Sequence, residues 1–193
     1  MVLLIDTSSS WTGLAVLQGD RVLAERVVAR LGVEELPGAV AALVDVRELR
    51  QVAITTGPGS FSGLRAGGSY GIGLAQGRGI PLLGVATFCL VRALATVPAT
   101  PIVEAGRDRV YLEAVGGEVV VVEMAEIPRG RPIVGWLSPR AVAAAQKADV
   151  PLLPADRWRP FGEAARLAMG SASALPYGRV KLSYVTSAGA FRK

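Results

Sequence analysis

One segment restricts the possible folds of this chain more than any other. It runs Thr55-Thr56-Gly57-Pro58-Gly59-Ser60-Phe61-Ser62-Gly63-Leu64-Arg65 and continues Ala66-Gly67-Gly68-Ser69-Tyr70-Gly71-Ile72-Gly73-Leu74-Ala75-Gln76-Gly77. It reads as a strand end, a tight glycine-proline turn, and a helix. Each glycine inside a helix costs roughly 1 kcal/mol against alanine, so close packing has to offset them. Gly63, Gly67, Gly71 and Ala75 recur every four residues and form one smooth ridge. Such a ridge lets another backbone come close. Two bodies can lie on it: a helix of a second subunit, or the sheet of the same lobe. The expectation is the subunit, with Leu36 and Val40 of a preceding helix completing the bundle. Ser60 is the expected N-cap of the glycine helix.

The remaining elements follow from periodicity. Val2–Asp6 reads as a buried strand, Trp11–Gln18 and Arg21–Ala29 as a hairpin turning at Gly19-Asp20. Residues 33–46 alternate at helical spacing, 51–56 and 81–85 read as strands, and 61–76 and 87–95 as helices. Three meandering strands followed by strand–helix units predict a mixed sheet with helices packed on it. Thr96-Val97-Pro98-Ala99-Thr100-Pro101 marks a boundary, giving lobes over 1–97 and 98–193. The order then restarts in reduced form. Strands are predicted over 102–104, 110–115, 118–124 and 150–153, and helices over 138–147 and 161–169. Ser138 is the N-cap of the first of these and Pro139 its first residue. The chain therefore reads as a duplicated α/β unit with an irregular tail.

Absences narrow the chemistry. The chain has no histidine, which removes Ser-His and Cys-His catalysis and every His-containing zinc site. Cys89 is the single cysteine, so no internal disulfide forms, and it sits in an apolar helix as a core residue. A reducing compartment, the cytoplasm, is expected, with no signal peptide and no membrane span. The net charge is +5 and 18 residues are arginine. No arginine cluster is interleaved with aromatics, so the charge reads as solubility rather than a nucleic-acid footprint.

Two turns are candidates for binding. Asp6-Thr7-Ser8-Ser9-Ser10 places an acid and small hydroxyls at the end of the first strand, an arrangement that can cradle phosphate or metal. The alternative is a polar turn joining two strands. Gly57-Pro58-Gly59 precedes a helix N-terminus. However, Pro58 removes a donor, and no Asp or Glu occurs from residue 49 to 103 to hold a ribose. A P-loop is also missing. Glu104 is a candidate for an inter-lobe cleft.

Leu4-Ile5-Asp6-Thr7-Ser8, the Gly57 to Arg65 block, and Pro81-Leu82-Leu83-Gly84-Val85-Ala86-Thr87 occur in an order and spacing that resemble the TsaB (YeaZ) family. The terminal Tyr184…Ala190-Phe191-Arg192-Lys193 resembles that family's tail. The resemblance implies an actin/hexokinase-like ATPase fold of two related lobes with mixed sheets and packed helices, the second lobe reduced. It implies a non-catalytic subunit in threonylcarbamoyladenosine synthesis on tRNA. Such a subunit pairs with a catalytic TsaD-like subunit, helps recruit a TsaE-like ATPase, and forms a homodimer when alone. tRNA is then met indirectly through the complex. No cofactor is implied except a nucleotide at a shared subunit interface, for which Asp6, Thr7 and Ser8 are the candidates. Where the family's second lobe tends to open Asp-Ala-Arg, this chain has Glu104-Ala105-Gly106. The competing expectation is an active small-molecule kinase or ATPase of the same fold.

Overall fold

The computed structural model describes residues 1–29, 31–114 and 116–183. The first sheet contains β1 (Val2–Asp6), β2 (Trp11–Gln18), β3 (Arg21–Ala29), β4 (Gln51–Thr55) and β5 (Leu82–Val85). β1, β2 and β3 form an antiparallel meander, while β4 lies parallel to β1 and β5 parallel to β4. On this sheet pack α1 (Leu36–Ala41), α2 (Phe61–Arg78) and α3 (Thr87–Leu94). The second sheet contains β6 (Thr100–Gly106), β7 (Arg109–Glu113), β8 (Val119–Glu123) and β9 (Ile133–Val134), followed by α4 (Pro139–Lys147) and α5 (Phe161–Ala168). β6, β7 and β8 repeat the antiparallel meander, and β9 lies parallel to β6 as β4 does to β1. Leu152 then bridges in parallel to Ile133. The duplication expected from the sequence is thus present in the strand order, and the second copy is shorter.

β1 reads as a continuous apolar run because both of its faces are covered. Leu3 and Ile5 face one core with Val52, Ile54, Leu36 and Val40. Leu4 faces the other, with Ala53, Val85, Leu90 and Phe161. A third core lies between the second sheet and α4, around Ile102, Val110, Ala141 and Ala145.

The glycine ridge corrects the expectation of a foreign helix. A Cβ on Gly63 would lie 2.0 Å from the carbonyl oxygen of Thr7, and one on Gly67 2.2 Å from Thr7 Oγ1. One on Gly71 would lie 2.4 Å from Ile54 Cγ2, and Ala75 is fully buried. The ridge therefore packs on the end of β1 and on β4 of its own lobe. Leu36 and Val40 are interior to that lobe too, so the ridge and these two residues are spent on the lobe's own packing. Spacing specified a flat stripe on the helix but not the body lying on it.

Two further differences have local causes. The helix predicted over 33–46 is α-helical only over Leu36–Ala41. Asp45 accepts a hydrogen bond from the Arg47 backbone N–H and starts a separate 3-10 turn, Val46–Glu48. The chain also returns to the first lobe after residue 153. α5 packs on α3, β2 and β3, with Gly13 allowing the Phe161 ring to lie where a Cβ would stand. β10 (Ser173–Ala174) then pairs antiparallel with β5. Residues 98–193 are thus not one lobe, because the apolar face of α5 is buried against the first sheet. The tail from Tyr184 onward lies outside the described residues, as does Val115 of the predicted strand 110–115.

Ser60 caps α2 and accepts from the Gly63 backbone N–H at 3.2 Å. Ser60→Ala should cost about 1 kcal/mol, read as a modest drop in melting temperature with the fold retained. An unchanged melt would show that the cap contributes nothing.

Candidate functional site

β1 delivers Asp6 to the mouth between the lobes, but the carboxylate does not reach it. Asp6 is 1% exposed. Its Oδ1 accepts from the Ser8 backbone N–H at 3.0 Å and from Thr55 Oγ1 at 2.9 Å. These bonds tie the first turn to the end of β4. Burial pushes the Asp6 carboxyl above its ordinary value of 3.8, while the bonds from Ser8 and Thr55 act in the opposite direction. Thr7 is buried, with its hydroxyl and carbonyl against the α2 ridge. The Ser8 carbonyl accepts from the Ser60 N–H at 2.6 Å. Of the three candidates, Asp6 and Thr7 are committed to the interior, and only Ser8 lines the cleft.

The cleft itself measures about 630 Å³ and lies between Ser8–Ser10 and Gly59–Phe61 on one side and Glu104–Gly106 and Tyr111 on the other. Glu104 is the one acid lining it, and its Oε1 accepts from Ser138 Oγ at 2.6 Å. Ser9, Ser10 and Gly59 join the wall. They are small residues in turns, and the parallel pairing of β1 with β4 brings them together on one wall. The hydroxyl of Ser10 is enclosed and has no hydrogen-bond partner. The Arg65 guanidinium stacks on the Phe61 ring, 3.8 Å from its centroid, at the start of α2. Among the described residues no group of three or more His, Cys, Asp or Glu side chains could hold a metal. No described helix is long and apolar enough to cross a membrane.

A second, smaller groove of about 190 Å³ runs between the segment before α1 and the outer side of α2. Leu31, Val33, Ser62 and Ala66 line it. Val33 is 58% exposed, the most exposed large apolar side chain described. The outer side of α2 presents Ser62, Ala66, Ser69, Gly73 and Gly77.

Asp6 makes a testable statement about pH. Its folded-state pKa is raised by burial, so between 3.8 and that raised value the folded chain binds a proton more fully than the unfolded chain does. Stability contributed by the neutral form is present below 3.8 and is lost as pH rises through the folded value. Asp6→Asn keeps one acceptor oxygen and cannot ionise. Its melting temperature should equal or exceed wild type at pH 7, with the difference shrinking toward pH 3. Asp6→Ala orphans two donors and should cost about 1–3 kcal/mol for each. A wild-type advantage over Asp6→Asn that grows with pH would reverse this assignment.

A duplicated sheet–helix domain with its cleft between the copies defines an actin-like ATPase-type fold. Residues 37–126 match the family described as TsaD, tRNA N6-adenosine threonylcarbamoyltransferase. The chain is 30% identical over 126 residues to the Bacillus subtilis tRNA threonylcarbamoyladenosine biosynthesis protein TsaB, covering 57% of this chain and 52% of that protein. It is 34% identical over 122 residues to an uncharacterized protein of Mycobacterium leprae, covering 58% of this chain and 34% of that protein. The matches thus span about half of the Bacillus protein and a third of the Mycobacterium one. In fold it is similar to YeaZ from Pseudomonas aeruginosa, with a TM-score of 0.67 at 20% identity, over 95% of this chain and 99% of that one. The chain is thus similar to TsaB (YeaZ) proteins over part of its sequence and in its fold.

Proposed function

We propose that this chain takes part in threonylcarbamoyladenosine synthesis on tRNA as a non-catalytic subunit. It pairs with a TsaD-like transferase, helps recruit a TsaE-like ATPase, and self-associates when alone. It meets tRNA through the complex and works in the cytoplasm. The observation that carries the non-catalytic reading is the state of Asp6. The one carboxylate at the first turn is buried and held by Ser8 and Thr55, so it is spent on structure. The lack of any histidine supports the same reading. With α2's glycine ridge occupied by its own sheet, pairing falls to the outer side of α2 and the groove beside Val33.

The test is reconstitution. The purified chain alone should show no ATP hydrolysis above a buffer blank. Added to a TsaD-like transferase from the same cell, it should co-elute with it and raise the yield of modified adenosine in tRNA. Failure to co-elute, or an unchanged yield, would count against the pairing reading. The competing reading, an active kinase or ATPase, draws on the cleft beside the α2 N-terminus. Calorimetry with ATP and magnesium on the isolated chain separates them, since a kinase binds nucleotide without any partner.

A further inference from the structure

The chain's three tryptophans meet at one place outside the cleft. Trp11 opens β2, Trp136 lies just beyond β9, and Trp158 bridges to Ala95 beyond α3. The Trp11 and Trp136 ring centroids are 5.7 Å apart at 38°, and those of Trp136 and Trp158 are 5.1 Å apart at 63°. Together with Ile133, Val142 and Leu152 they wall a pocket of about 410 Å³. That falls within the roughly 300–1,000 Å³ typical of small-molecule sites.

Three observations make this a formed pocket rather than an incidental gap. The Trp11 indole N–H donates to the Leu137 carbonyl at 3.3 Å, and that of Trp158 to the Leu153 carbonyl at 3.0 Å. Two rings are thereby fixed in orientation, with their polar edges satisfied by protein. A Cβ on Gly135 would lie 2.2 Å from the Ile102 carbonyl oxygen. Only glycine there lets the chain lie flat on β6, and this sets the position of the adjoining Trp136. Finally, no charged side chain lines the pocket, and all three indoles remain partly exposed. An aliphatic core with few aromatics, only 6% of the chain, gains little from leaving three large rings half open.

We propose that this pocket binds an uncharged planar aromatic ring, stacked among the three indoles. An unlined charge is disfavoured there because nothing repays its lost hydration, whereas ring-on-ring contacts add to area burial. Such a ring can come from a free heteroaromatic compound or from a nucleobase. The site does not depend on pairing with a transferase.

The probes are quinoline, adenosine and benzoate, added to the full chain at pH 7.5, with the three indole Nε1–H signals followed by NMR. Quinoline should shift them saturably and benzoate should not. A saturable adenosine response as well assigns the site to nucleobases, and its absence to free heteroaromatic compounds. Val142→Glu places a carboxylate in the wall of a half-buried position and should weaken quinoline about ten-fold or more. Val142→Phe fills the space without charge, should have the same effect, and serves if the first variant fails to fold. Linear shifts with both neutral probes, equal binding of benzoate, or full affinity in a folded variant would overturn the proposal.

Discussion

Gly63→Leu should unfold this chain. Its first added atom falls 2.0 Å from the Thr7 carbonyl oxygen just beyond β1, and a buried backbone cannot rotate away as a side chain can. Overpacking costs about 1–3 kcal/mol where neighbours can yield. Here α2 would have to lift from β1 along its whole length, exposing the core around Ile5, Ile54 and Leu64. That is a large part of the roughly 5–15 kcal/mol that holds a domain together. Gly67→Leu should destabilise too but less, since the atoms it meets belong to the Thr7 side chain. Gly73→Ala is the control. It is exposed, with nothing within 4 Å of an added Cβ, and should stabilise the helix by roughly 1 kcal/mol. Circular-dichroism melts of the three variants check this. A cooperative melt at the wild-type temperature for Gly63→Leu would mean that the ridge is not sealed against its own sheet.

The same contrast explains what could be read from sequence alone. Strand β1 and the hairpin after it were legible because an unbroken apolar run and a Gly-Asp turn each have few alternatives. The repeat of that order after Pro101 carried the duplication with it. The helix ridge was legible as a ridge, but a periodic stripe contains no information about its partner. Asp6 was visible as a candidate, yet its role depended on Thr55, 49 residues away in the chain, which only β1–β4 pairing brings near. Ser9, Ser10 and Gly59 lay within the two candidate turns, but the sequence could not say that they share one cleft wall opposite Glu104–Gly106, because that depends on the folded pairing of β1 with β4. The return of α5 and β10 to the first sheet was likewise hidden. α5 shows an ordinary apolar stripe, and its destination is set by space over β2 and β3 that Gly13 and Gly162 leave open.

The second large effect concerns the side of α2 that the sheet leaves free. Ser62, Ala66, Ser69, Gly73 and Gly77 fall at steps of three and four residues, so they share one face opposite the buried ridge. A helix bearing these residues lets another helix approach closely, and Val33 adds an exposed apolar contact beside it. Under the pairing proposal this is the face a TsaD-like subunit or a second copy covers. In a two-fold pairing the same face serves both partners. Gly73→Leu should then leave the melting temperature at or above wild type, because no protein atom lies within 4 Å of the new Cβ. It should abolish co-elution with the transferase and shift the free chain to a monomer in sedimentation. Ala66→Arg should do the same by placing a charge in the groove. Together with Gly63→Leu, these variants separate fold from association on one helix: one side unfolds the chain, the other unpairs it. A folded Gly73→Leu variant that still pairs would move the interface off α2.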